Sequence, residues 1–539
     1  MTADAVPRPA ISTAPLGTDH PGPGVRETHC AWVFLLGDLA VKVKKPFDLG
    51  FVDWRDPAAR RRACEREIVL NQQFAPDVYR GVGSITMAGE DCEALVVMRR
   101  MPDSRRLSTL LSQGFDVDPP LRLVARRLAI HHASARRSAR IDQAGSGDSL
   151  MRRWTDNLEA LERGRSARID VAALAEIRSL STRYIAGRGH LFQDRIHAGW
   201  VRDGHGDLLA DDIFCLNDGP RILDCLEFDD DLRAVDAIDD AAVLAMDLER
   251  LGAADAAEGF LNAFLEFSGI LGPVSLVHHY IAYRAVMRAK VAMIRADQGD
   301  PAAAEQVELL CSLGLAHLRL GEPTLTLVGG LPGTGKSTLA GAIADRTGAV
   351  VVASDRLRKE LTGTEPSRQQ EHGWRVGPYS DEVTRRTYTA ILSRARQLLQ
   401  MGESVVVDAS FADTADRVSA RAVADECAAR LVELRCECPA DVAAVRIIDR
   451  WGSGDLSEAT VAVAERMRSS YAKWPEASVV DTSTTLVSAM AQLPPMYSAG
   501  PRVASRLAGA GASDALTRAN HFRTDQLPAD DRATDWADA

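Results

Sequence analysis

The feature that most constrains this chain is GLPGTGKST, residues 330–338, which satisfies the pattern G-x-x-x-x-G-K-[ST]. It follows TLTLVG, a short apolar and β-branched run at 324–329, and it leads into STLAGAIADR, an amphipathic stretch that Gly348 ends. A strand, a glycine-rich loop and a helix in this order place backbone N–H groups around the phosphates of a nucleotide. The motif therefore predicts a nucleotide-binding α/β domain.

Every residue of this loop is a candidate for contact with the nucleotide. Its glycines let the backbone approach the phosphates because no side chain stands in the way. Lys336 is expected to reach the β- and γ-phosphates and to take part in catalysis, and the Ser337 hydroxyl is expected to ligate Mg²⁺. The predicted nucleotide-binding residues are Gly330, Leu331, Pro332, Gly333, Thr334, Gly335, Lys336, Ser337 and Thr338.

Length and composition define the broader class of protein. A chain of 539 residues is too long for one core, so two or three domains are expected. Its net charge of −11 argues against general binding of nucleic acid by the whole surface. The N-terminus has no apolar signal region, and no run is long enough to span a membrane. Nine cysteines without paired spacing indicate reduced thiols. We therefore expect a cytoplasmic protein with no membrane partner.

The distribution of Pro, Gly and periodic segments predicts two folded domains. Residues 1–24 lack periodicity and residues 499–539 are rich in Ala, Gly and Asp, so both ends are expected to be disordered. The Gly-Glu-Pro boundary at 321–323 separates a first domain, 25–320, from a second, 321–498. In the second domain five β-rich runs alternate with helical stretches. This alternation predicts an α/β fold with a parallel, doubly wound, five-stranded sheet.

The first domain is strand-rich at its start and helix-rich after it. Residues 32–43 predict a β-hairpin, and residues 57–74 predict a helix capped by Asp56. Two further strands are expected before residue 100, and helical patterns dominate beyond it. This domain is therefore expected to be of the α+β class.

Two carboxylates follow predicted strands of the second domain. Asp355 comes at the end of the run VVVAS, and Asp408 closes the apolar run SVVV. Because ligands bind at the carboxyl ends of strands in open α/β sheets, both are expected in the crevice. Asp408 is a candidate Mg²⁺ ligand, with helix capping as the alternative. Asp355 is a candidate to accept or orient the proton of an acceptor hydroxyl during phosphoryl transfer.

Two arginines, Arg446 and Arg450, lie one helical turn apart before the glycine-containing segment 451–459. This segment, WGSGDLSEA, has the composition of a mobile lid. Cations that a lid carries into a site would stabilise charge on the transferred group, so both arginines are catalytic candidates. An ordinary exposed helix face is the alternative.

The fragments GLPGTGKST, ASDRLRKEL, VVVDASF and VRIIDRWGSGDLSEA resemble the P-loop small-molecule kinases of the gluconate kinase, zeta toxin and polynucleotide kinase group. The resemblance covers roughly residues 323–493. It implies that Asp355 serves the acceptor hydroxyl and that Arg446 and Arg450 are lid arginines. Acceptors in this group range from sugars to nucleotide sugars to polynucleotide ends, so the resemblance leaves the acceptor open.

A second strong signal is the acidic segment 204–242. Asp207 lies in a His-Gly-Asp turn, Asp212 follows five positions later, and Asp224 comes after a short predicted hairpin. This is the spacing of a kinase-like catalytic loop followed by a metal-binding aspartate. We predict that Asp207 accepts the hydroxyl proton and that Asp212 and Asp224 ligate Mg²⁺. An acidic exposed loop is the alternative, which the apolar run ILDCLEF argues against.

A kinase-like site also requires a lysine that binds the phosphates and a glutamate that orients this lysine. The strand LAVKVKK offers Lys42 and Lys44 on one face, because strand side chains alternate with period two. Lys42 is preferred, with Lys44 close behind. The following helix offers Glu67 first and Glu65 second. Met98, in the run MRRMP, is expected in the connector between two lobes, where adenine docks.

Residues 27 to about 318 resemble the aminoglycoside phosphotransferase and choline kinase branch of the protein-kinase-like fold. More closely, ETHCAWVFLLGDLAVKVKKP, FVDWRDPAARRRACEREIVLN and HGDL…ILDCLEF resemble an uncharacterised bacterial family in which such a domain is fused to a P-loop kinase domain. The resemblance implies a bilobal α+β domain that precedes the α/β P-loop NTPase domain. It also implies that one chain carries two kinase sites.

The sequence departs from that pattern in three places. Leu209-Ala210 stand where the branch has His-Pro, and Asp212 stands where it has a metal-binding Asn. No G-x-G-x-x-G precedes Lys42. Aspartate still binds magnesium, so these departures bear on the efficiency of catalysis more than on nucleotide binding.

The leading hypothesis is an ATP-dependent phosphotransferase with two ATP–Mg²⁺ sites, each transferring a γ-phosphoryl group to a hydroxyl of a small molecule such as a sugar or related metabolite. In one alternative only the P-loop domain is active and the N-terminal domain senses nucleotide. In another the chain phosphorylates polynucleotide ends, which its acidic charge disfavours. Fold analogy alone suggests an aminoglycoside-resistance enzyme.

Overall fold

The computed structural model describes residues 22–28, 30–47, 53–87, 90–165, 169–363, 377–450 and 459–497. The expected disordered tail after residue 498, almost all of the expected disordered N-terminus and the core of the expected lid, 451–458, lie outside these ranges. The chain divides into two compact units, one ending at Glu322 and the other beginning at Pro323. Within the described ranges, no helix is both long and apolar enough to cross a bilayer.

The first unit begins with a five-stranded antiparallel sheet and one helix packed against it. The elements are β1 (Gly24–Glu27), β2 (Ala31–Leu36), β3 (Leu39–Lys44), α1 (Pro57–Asn71), β4 (Tyr79–Met87) and β5 (Glu90–Arg99). Their spatial order is β1-β2-β3-β5-β4. The predicted hairpin is confirmed as β2 and β3, which turn at Gly37 with φ 55°.

Helix α1 begins where its sequence predicts. The Asp56 carboxylate accepts a hydrogen bond from the Ala58 N–H at 3.0 Å, and Pro57 occupies the first turn. The helix ends at Asn71, three residues before the predicted Phe74. Its buried face, which includes Glu67, packs on the sheet that carries β3 and β5.

The remainder of the first unit is mainly helical. Its helices are α2 (Leu107–Ser112), α3 (Asp118–Ser134), α4 (Ala139–Ala144), α5 (Gly147–Arg163), α6 (Val171–Ala186), α7 (Gly189–His197), α8 (Asp230–Arg233), α9 (Ala237–Arg250), α10 (Ala254–Ser268), α11 (Val274–Asp297) and α12 (Pro301–Leu320). A sheet lobe followed by a helical lobe is the predicted bilobal α+β arrangement.

Two short antiparallel strand pairs lie between α7 and α9 and carry the acidic segment. They are β6 (Val201–Asp203) with β9 (Ala234–Asp236), and β7 (Ile213–Leu216) with β8 (Gly219–Ile222). The loop between β6 and β7 contains Asp207 and Asp212, and the segment after β8 contains Asp224. The two pairs therefore hold the three predicted site aspartates on short, braced connections.

The second unit is a five-stranded parallel sheet covered by helices on both faces. Its elements are β10 (Thr324–Gly329), α13 (Lys336–Thr347), β11 (Val350–Ala353), α14 (Ser354–Thr362), α15 (Asp381–Gln400), β12 (Val405–Asp408), α16 (Thr414–Glu426), β13 (Arg430–Glu437), α17 (Ala440–Asp449), α18 (Val461–Ser470), β14 (Ser478–Asp481) and α19 (Leu486–Ala491). The order β11-β12-β10-β13-β14 confirms the predicted doubly wound sheet.

The central strand β10 is buried throughout because both of its faces are covered. Leu325 and Leu327 pack on one side with residues of α15 and α16, whereas Val328 packs on the other with residues of α13 and α19. β11 and β12 lie on one side of β10 and β13 and β14 on the other, so the direction in which successive strands are added to the sheet reverses beside β10. A ligand crevice is expected at such a switch point.

Candidate functional site

The glycine-rich loop leaves the carboxyl end of β10 and enters α13 at Lys336. Gly330, Gly333 and Gly335 have φ angles of 138°, 80° and 78°, a region that other residues rarely adopt. Positive φ angles of this kind, just before a helix, are typical of loops whose backbone N–H groups bind anions. The loop therefore has the backbone conformation that a phosphate site requires.

Two of these glycines also make room for neighbouring backbone. A Cβ at Gly330 would lie 2.6 Å from the carbonyl oxygen of Cys436, and one at Gly333 would lie 2.5 Å from that of Ala443. The loop is thus pressed against the end of β13 and the first turns of α17. A side chain at either position would force the loop to move.

Lys336 lies over the loop from which it projects. Its Nζ donates to the carbonyl oxygen of Leu331 at 2.9 Å, and the Thr334 hydroxyl donates to the same oxygen at 2.8 Å. The ammonium group is therefore held at the rim of the concave N–H surface. Ser337 follows directly in the first turn of α13.

The two predicted carboxylates of this unit lie at the carboxyl edge of the sheet. Asp408 is the last residue of β12, is buried, and is in register with Val328 of β10. Asp355 lies in the first turn of α14, two residues past the end of β11 at Ala353. Its carboxylate accepts a hydrogen bond from Arg358 Nη1 at 2.7 Å. The structure thus brings both aspartates to the loop's edge of the sheet, on the β11–β12 side.

The two predicted lid arginines have different surroundings. Arg446 Nη2 donates to the carbonyl oxygen of Thr482 at 2.8 Å. Its Nη1 lies 3.5 Å from the position that a Cβ on Gly335 would take, so its guanidinium is beside the glycine-rich loop. Arg450, at the end of α17, donates to the carbonyl oxygen of Ala459 at 3.2 Å. This hydrogen bond joins the two residues that flank the segment 451–458, which lies outside the described ranges.

A cavity of about 300 Å³ adjoins the loop on the β13 side. Besides loop residues, its lining includes Arg435, Arg468 and Tyr471, none of which belongs to a recognisable motif. Arg435 forms an ion pair with Glu437 at 2.6 Å, and the Tyr471 hydroxyl donates to the carbonyl oxygen of Ser410 at 2.9 Å. These residues converge only in the folded chain, so spacing along the sequence carried no signal for them.

In the first unit, β3, α1 and the segment after β8 bring four predicted charged residues together. Lys42 Nζ lies 2.9 Å from Glu67 Oε1 and donates to Asp224 Oδ1 at 2.6 Å. Lys44 Nζ donates to Glu67 Oε2 at 2.8 Å. Glu67 thus holds both candidate lysines, whereas the runner-up Glu65 is exposed.

No sequence motif indicated Glu227. The contacts of this residue distinguish Lys44 from Lys42. It forms an ion pair with Lys44, whose side chain is 1% exposed, whereas that of Lys42 is 13% exposed. Lys44 also lies 4.6 Å from the ring centre of Trp54. Lys44 is therefore enclosed, and Lys42 is the lysine beside Asp224. The signal for Glu227 was present in ILDCLEF, three positions after Asp224.

Ion pairing within this cluster outweighs the effect of burial on the pKa values of Lys42 and Asp224. Burial alone would lower the pKa of Lys42, but the carboxylates of Asp224 and Glu67 outweigh it and hold that pKa well above the usual value. Burial would likewise raise the pKa of Asp224, but Lys42 lowers it overall. Both groups are therefore charged at neutral pH.

Asp224 itself has φ 64°, an unusual conformation for a residue with a side chain. Its N–H donates to the Tyr79 hydroxyl at 3.1 Å, and the next N–H, of Cys225, donates to the Asn71 side chain at 2.8 Å. Contacts from α1 and β4 therefore keep this strained turn in place, as is common at functional sites.

The turn that carries Asp207 is fixed by residues that no motif indicated. The Asp240 carboxylate accepts hydrogen bonds from the N–H groups of His205 and Gly206, each at 2.8 Å. Arg284 Nη1 donates to the carbonyl oxygen of Gly206 at 3.1 Å. The Asp207 carboxylate lies 3.2 Å from Arg288 Nη1. His205 is buried, and its Nε2 lies 3.1 Å from the carbonyl oxygen of Leu223, so it has a structural role in this turn.

Asp212 and Asp224 are the pair in this unit that could hold a metal ion. Burial and the negative charges of Asp224 and Asp207 raise the pKa of Asp212 well above its usual value. A divalent cation would relieve this repulsion, so the pair fits Mg²⁺ in charge and ligand type. Over the described ranges, no group of three His, Cys, Asp or Glu side chains could hold a metal without other ligands.

Met98 was expected in the connector between the lobes, but it lies within β5, which ends at Arg99. It is buried in the sheet core together with Ala40 and Tyr79. The strand continues past the predicted connector start because residues up to Arg99 still pair with β3.

Comparisons with known proteins agree with this division. Residues 325–474 match the AAA domain family. The chain is 40% identical over 467 residues to the uncharacterized protein Rv2004c of Mycobacterium tuberculosis strain H37Rv, an alignment that covers 86% of this chain and 93% of that one.

Two solved structures are each similar to a part of the chain. A gluconokinase from Sinorhizobium meliloti 1021 is 18% identical, with a TM-score of 0.24, and covers 36% of this chain and 97% of its own. A choline/ethanolamine kinase family protein from Mesorhizobium loti is 15% identical, with a TM-score of 0.34, and covers 57% of this chain and 94% of its own. From its identity and coverage with Rv2004c, the chain belongs to the family of that protein.

Proposed function

We propose that the chain is an ATP-dependent phosphotransferase with two nucleotide sites, each of which transfers a γ-phosphoryl group to a hydroxyl of a small molecule. The observation that carries this proposal is the contact of Lys42 with both Glu67 and Asp224, close to the braced turn of Asp207. A lysine oriented by a helix glutamate, next to a metal-binding aspartate, is the arrangement that positions ATP in kinases.

At the N-terminal site, Lys42 would bind the ATP phosphates and Glu67 would orient it. Asp212 and Asp224 would hold Mg²⁺, which when bound neutralises phosphate charge. Asp207 would accept the proton of the acceptor hydroxyl. As the bond from the acceptor oxygen to the γ-phosphorus forms, the bond from that phosphorus to the bridging oxygen breaks, and ADP leaves with that oxygen.

At the C-terminal site, the N–H groups of the loop 330–335 and Lys336 would bind the phosphates. Ser337 and Asp408 would hold Mg²⁺. Asp355 would take the acceptor proton. Arg446, beside Gly335, would stabilise charge on the transferring group, and Arg450, one helical turn further along at the end of α17, would join it. The chemistry of the transfer would be the same as at the first site.

Both acceptors are proposed to be small molecules, such as sugars or related metabolites, in the cytoplasm. The net charge of −11 supports this class over a polynucleotide end, whose phosphates a strongly acidic protein repels.

The test is transfer of label from γ-labelled ATP into a metabolite pool from cell extract. The full chain is compared with Lys336→Ala and Asp207→Asn, with Arg295→Gln as a surface control, since Arg295 is exposed and paired with Asp300. We expect each site variant to lose a different labelled product. If Lys336→Ala alone loses label, the N-terminal domain does not transfer phosphate. If both variants label every product as the unaltered chain does, neither predicted site is catalytic.

A further inference from the structure

We infer that the acceptor of the N-terminal domain carries an anionic group, a phosphate or a carboxylate, and that Arg288 binds this group beside Asp207. This inference rests on the proposed phosphoryl transfer at Asp207. It names the chemical class of the acceptor and one residue that selects it.

Arg288 differs from the arginine one helical turn before it on α11. Arg284 is 4% exposed, and it donates to Asp239 at 2.6 Å and to the carbonyl oxygen of Gly206 at 3.1 Å. It therefore braces the catalytic turn. Arg288 is 26% exposed, so its guanidinium is open to a ligand that enters beside Asp207.

The contact between Arg288 and Asp207 is loose for a pair of opposite charges. Nη1 lies 3.2 Å from Oδ2 and 3.4 Å from Oδ1, whereas a strong charge-assisted hydrogen bond is about 2.7–2.9 Å long. One nitrogen faces both oxygens, so the two-pronged geometry that guanidinium groups prefer with an anion is not used here. An acceptor anion could take up that geometry.

Several carboxylates near the catalytic turn that could attract a cationic acceptor are paired with arginines. This holds for aspartates on β6, α8 and α9, the elements that surround the catalytic turn. The pairs are Asp203 with Arg136 and Arg233, Asp230 with Arg66 and Arg233, Asp231 with Arg140, and Asp239 with Arg284. Arg288 is therefore an accessible cation beside Asp207, while Asp212 and Asp224 are the carboxylates left for the proposed Mg²⁺.

An anionic acceptor reconciles Arg288 with the proposed role of Asp207. To accept a hydroxyl proton, Asp207 needs one oxygen toward the acceptor, which requires Arg288 to share or release it. An anionic group on the acceptor gives Arg288 a new partner as the hydroxyl reaches Asp207. A cationic acceptor would be repelled by Arg288 at the same position, so the arginine also discriminates between acceptor classes.

The first experiment uses the full chain with Lys336→Ala, so that transfer reports the N-terminal site. Metabolites from cell extract are separated by ion exchange near neutral pH into anionic, neutral and cationic fractions, and each is incubated with γ-labelled ATP. We expect label to enter products of the anionic fraction. Label from the neutral or cationic fraction instead would overturn the inference and leave the proposed transferase activity standing. No label from any fraction would refute transfer at this site, and the inference with it.

The second experiment places Arg288→Gln, Arg288→Lys and the control Arg295→Gln in the same background. Because a hydrogen bond to a charged group is lost, Arg288→Gln should raise KM for the anionic acceptor about 10- to 100-fold, with little change in KM for ATP. Arg288→Lys should recover part of the lost acceptor affinity, since lysine restores the positive charge but not the planar, two-pronged guanidinium group. Arg295→Gln should match the parent. An unchanged acceptor KM, or faster transfer by Arg288→Gln, would show that Arg288 does not bind the acceptor.

Discussion

The two candidate sites position their phosphate-binding groups in different ways. In the second unit the groups are backbone N–H groups of one continuous loop, and its lysine is hydrogen-bonded to that same loop. In the first unit Lys42 and Asp224, 182 positions apart, meet through their side chains, and Lys42 is also held by the buried Glu67. A loop of this kind depends on backbone conformation, whereas the buried cluster depends on the packing of two lobes.

This difference changes what a substitution does. Removing one partner from a buried ion pair leaves an uncompensated charge, which costs stability as well as binding. Glu67, Lys44 and Glu227 form such a buried network. The glycine-rich loop has no comparable side-chain network, so its sensitive positions are the glycines. The predictions below test this contrast.

The largest effect is expected for Glu67→Ala, because two buried lysines lose their shared partner. The first unit should lose about 3–5 kcal/mol of its free energy of unfolding. The measurement is chemical denaturation of the full chain, followed by tryptophan fluorescence.

The matched control is Glu65→Ala, which makes the same change at an exposed position of the same helix. It should alter stability by no more than about 0.5 kcal/mol. Equal losses for the two variants would contradict the view that the buried cluster supports the fold.

The next largest effect is expected on catalysis at the N-terminal site. Lys42→Met should reduce transfer about 10²–10³-fold, as is typical when a group that stabilises transition-state charge is removed. The measurement is label transfer to the anionic fraction by the chain that carries Lys336→Ala.

Lys44→Met is the comparison for this experiment. Because Lys44 is enclosed by Glu67 and Glu227, its loss should lower stability more than that of Lys42 does. Suppose that Lys44→Met abolished transfer without loss of stability, and that Lys42→Met left both transfer and stability unchanged. The roles of the two lysines would then have to be exchanged.

A smaller effect is expected for Gly333→Ala in the loop of the second unit. Its φ of 80° and the carbonyl oxygen of Ala443, 2.5 Å from the new Cβ, should cost about 1–3 kcal/mol in stability and weaken ATP binding. The measurement is thermal melting with and without ATP and Mg²⁺.

Gly341→Ala is its control within α13, where a Cβ meets nothing within 4 Å. This helix position should gain about 0.5–1 kcal/mol, and the response to ATP should not change. A normal ATP response from Gly333→Ala would argue against a loop that depends on its backbone conformation.

The effect that develops only on acidification is a difference in the pH dependence of stability between the two units. Burial lowers the pKa of His278 and of His279 to about 3, from a usual 6.5. The folded first unit therefore binds fewer protons than the unfolded chain, so its stability should fall as pH decreases below about 6.5, by up to about 1.4 kcal/mol per pH unit for each histidine. The described part of the second unit contains no histidine.

The measurement is denaturation of the full chain between pH 7 and 5. His279→Asn should flatten the pH dependence of the first unit, and His190→Asn, at an exposed position, should leave it unchanged. An unaltered slope with His279→Asn would exclude this histidine as the cause.

Much of the fold could be predicted because its signals are local. The hairpin of β2 and β3, the capped start of α1 and the alternation of five strands with helices each depend on residues close together in the chain. The glycine-rich loop is local too, since its conformation and its lysine lie within nine residues. Strand ends were less predictable, and β5 continued through Met98 because pairing with β3 overrode the turn-like sequence after it.

The sequence by itself determined the candidate residues of each site: the loop 330–338 and the spacing of Asp207, Asp212 and Asp224. Only the tertiary structure decided that Lys44 is enclosed by Glu227, that Arg446 lies at the loop, and that Arg288, 81 positions from Asp207, faces it. The reason is physical. Backbone conformation and helix caps are set by neighbouring residues, whereas burial and ion pairing are set by the packing of elements distant in the chain.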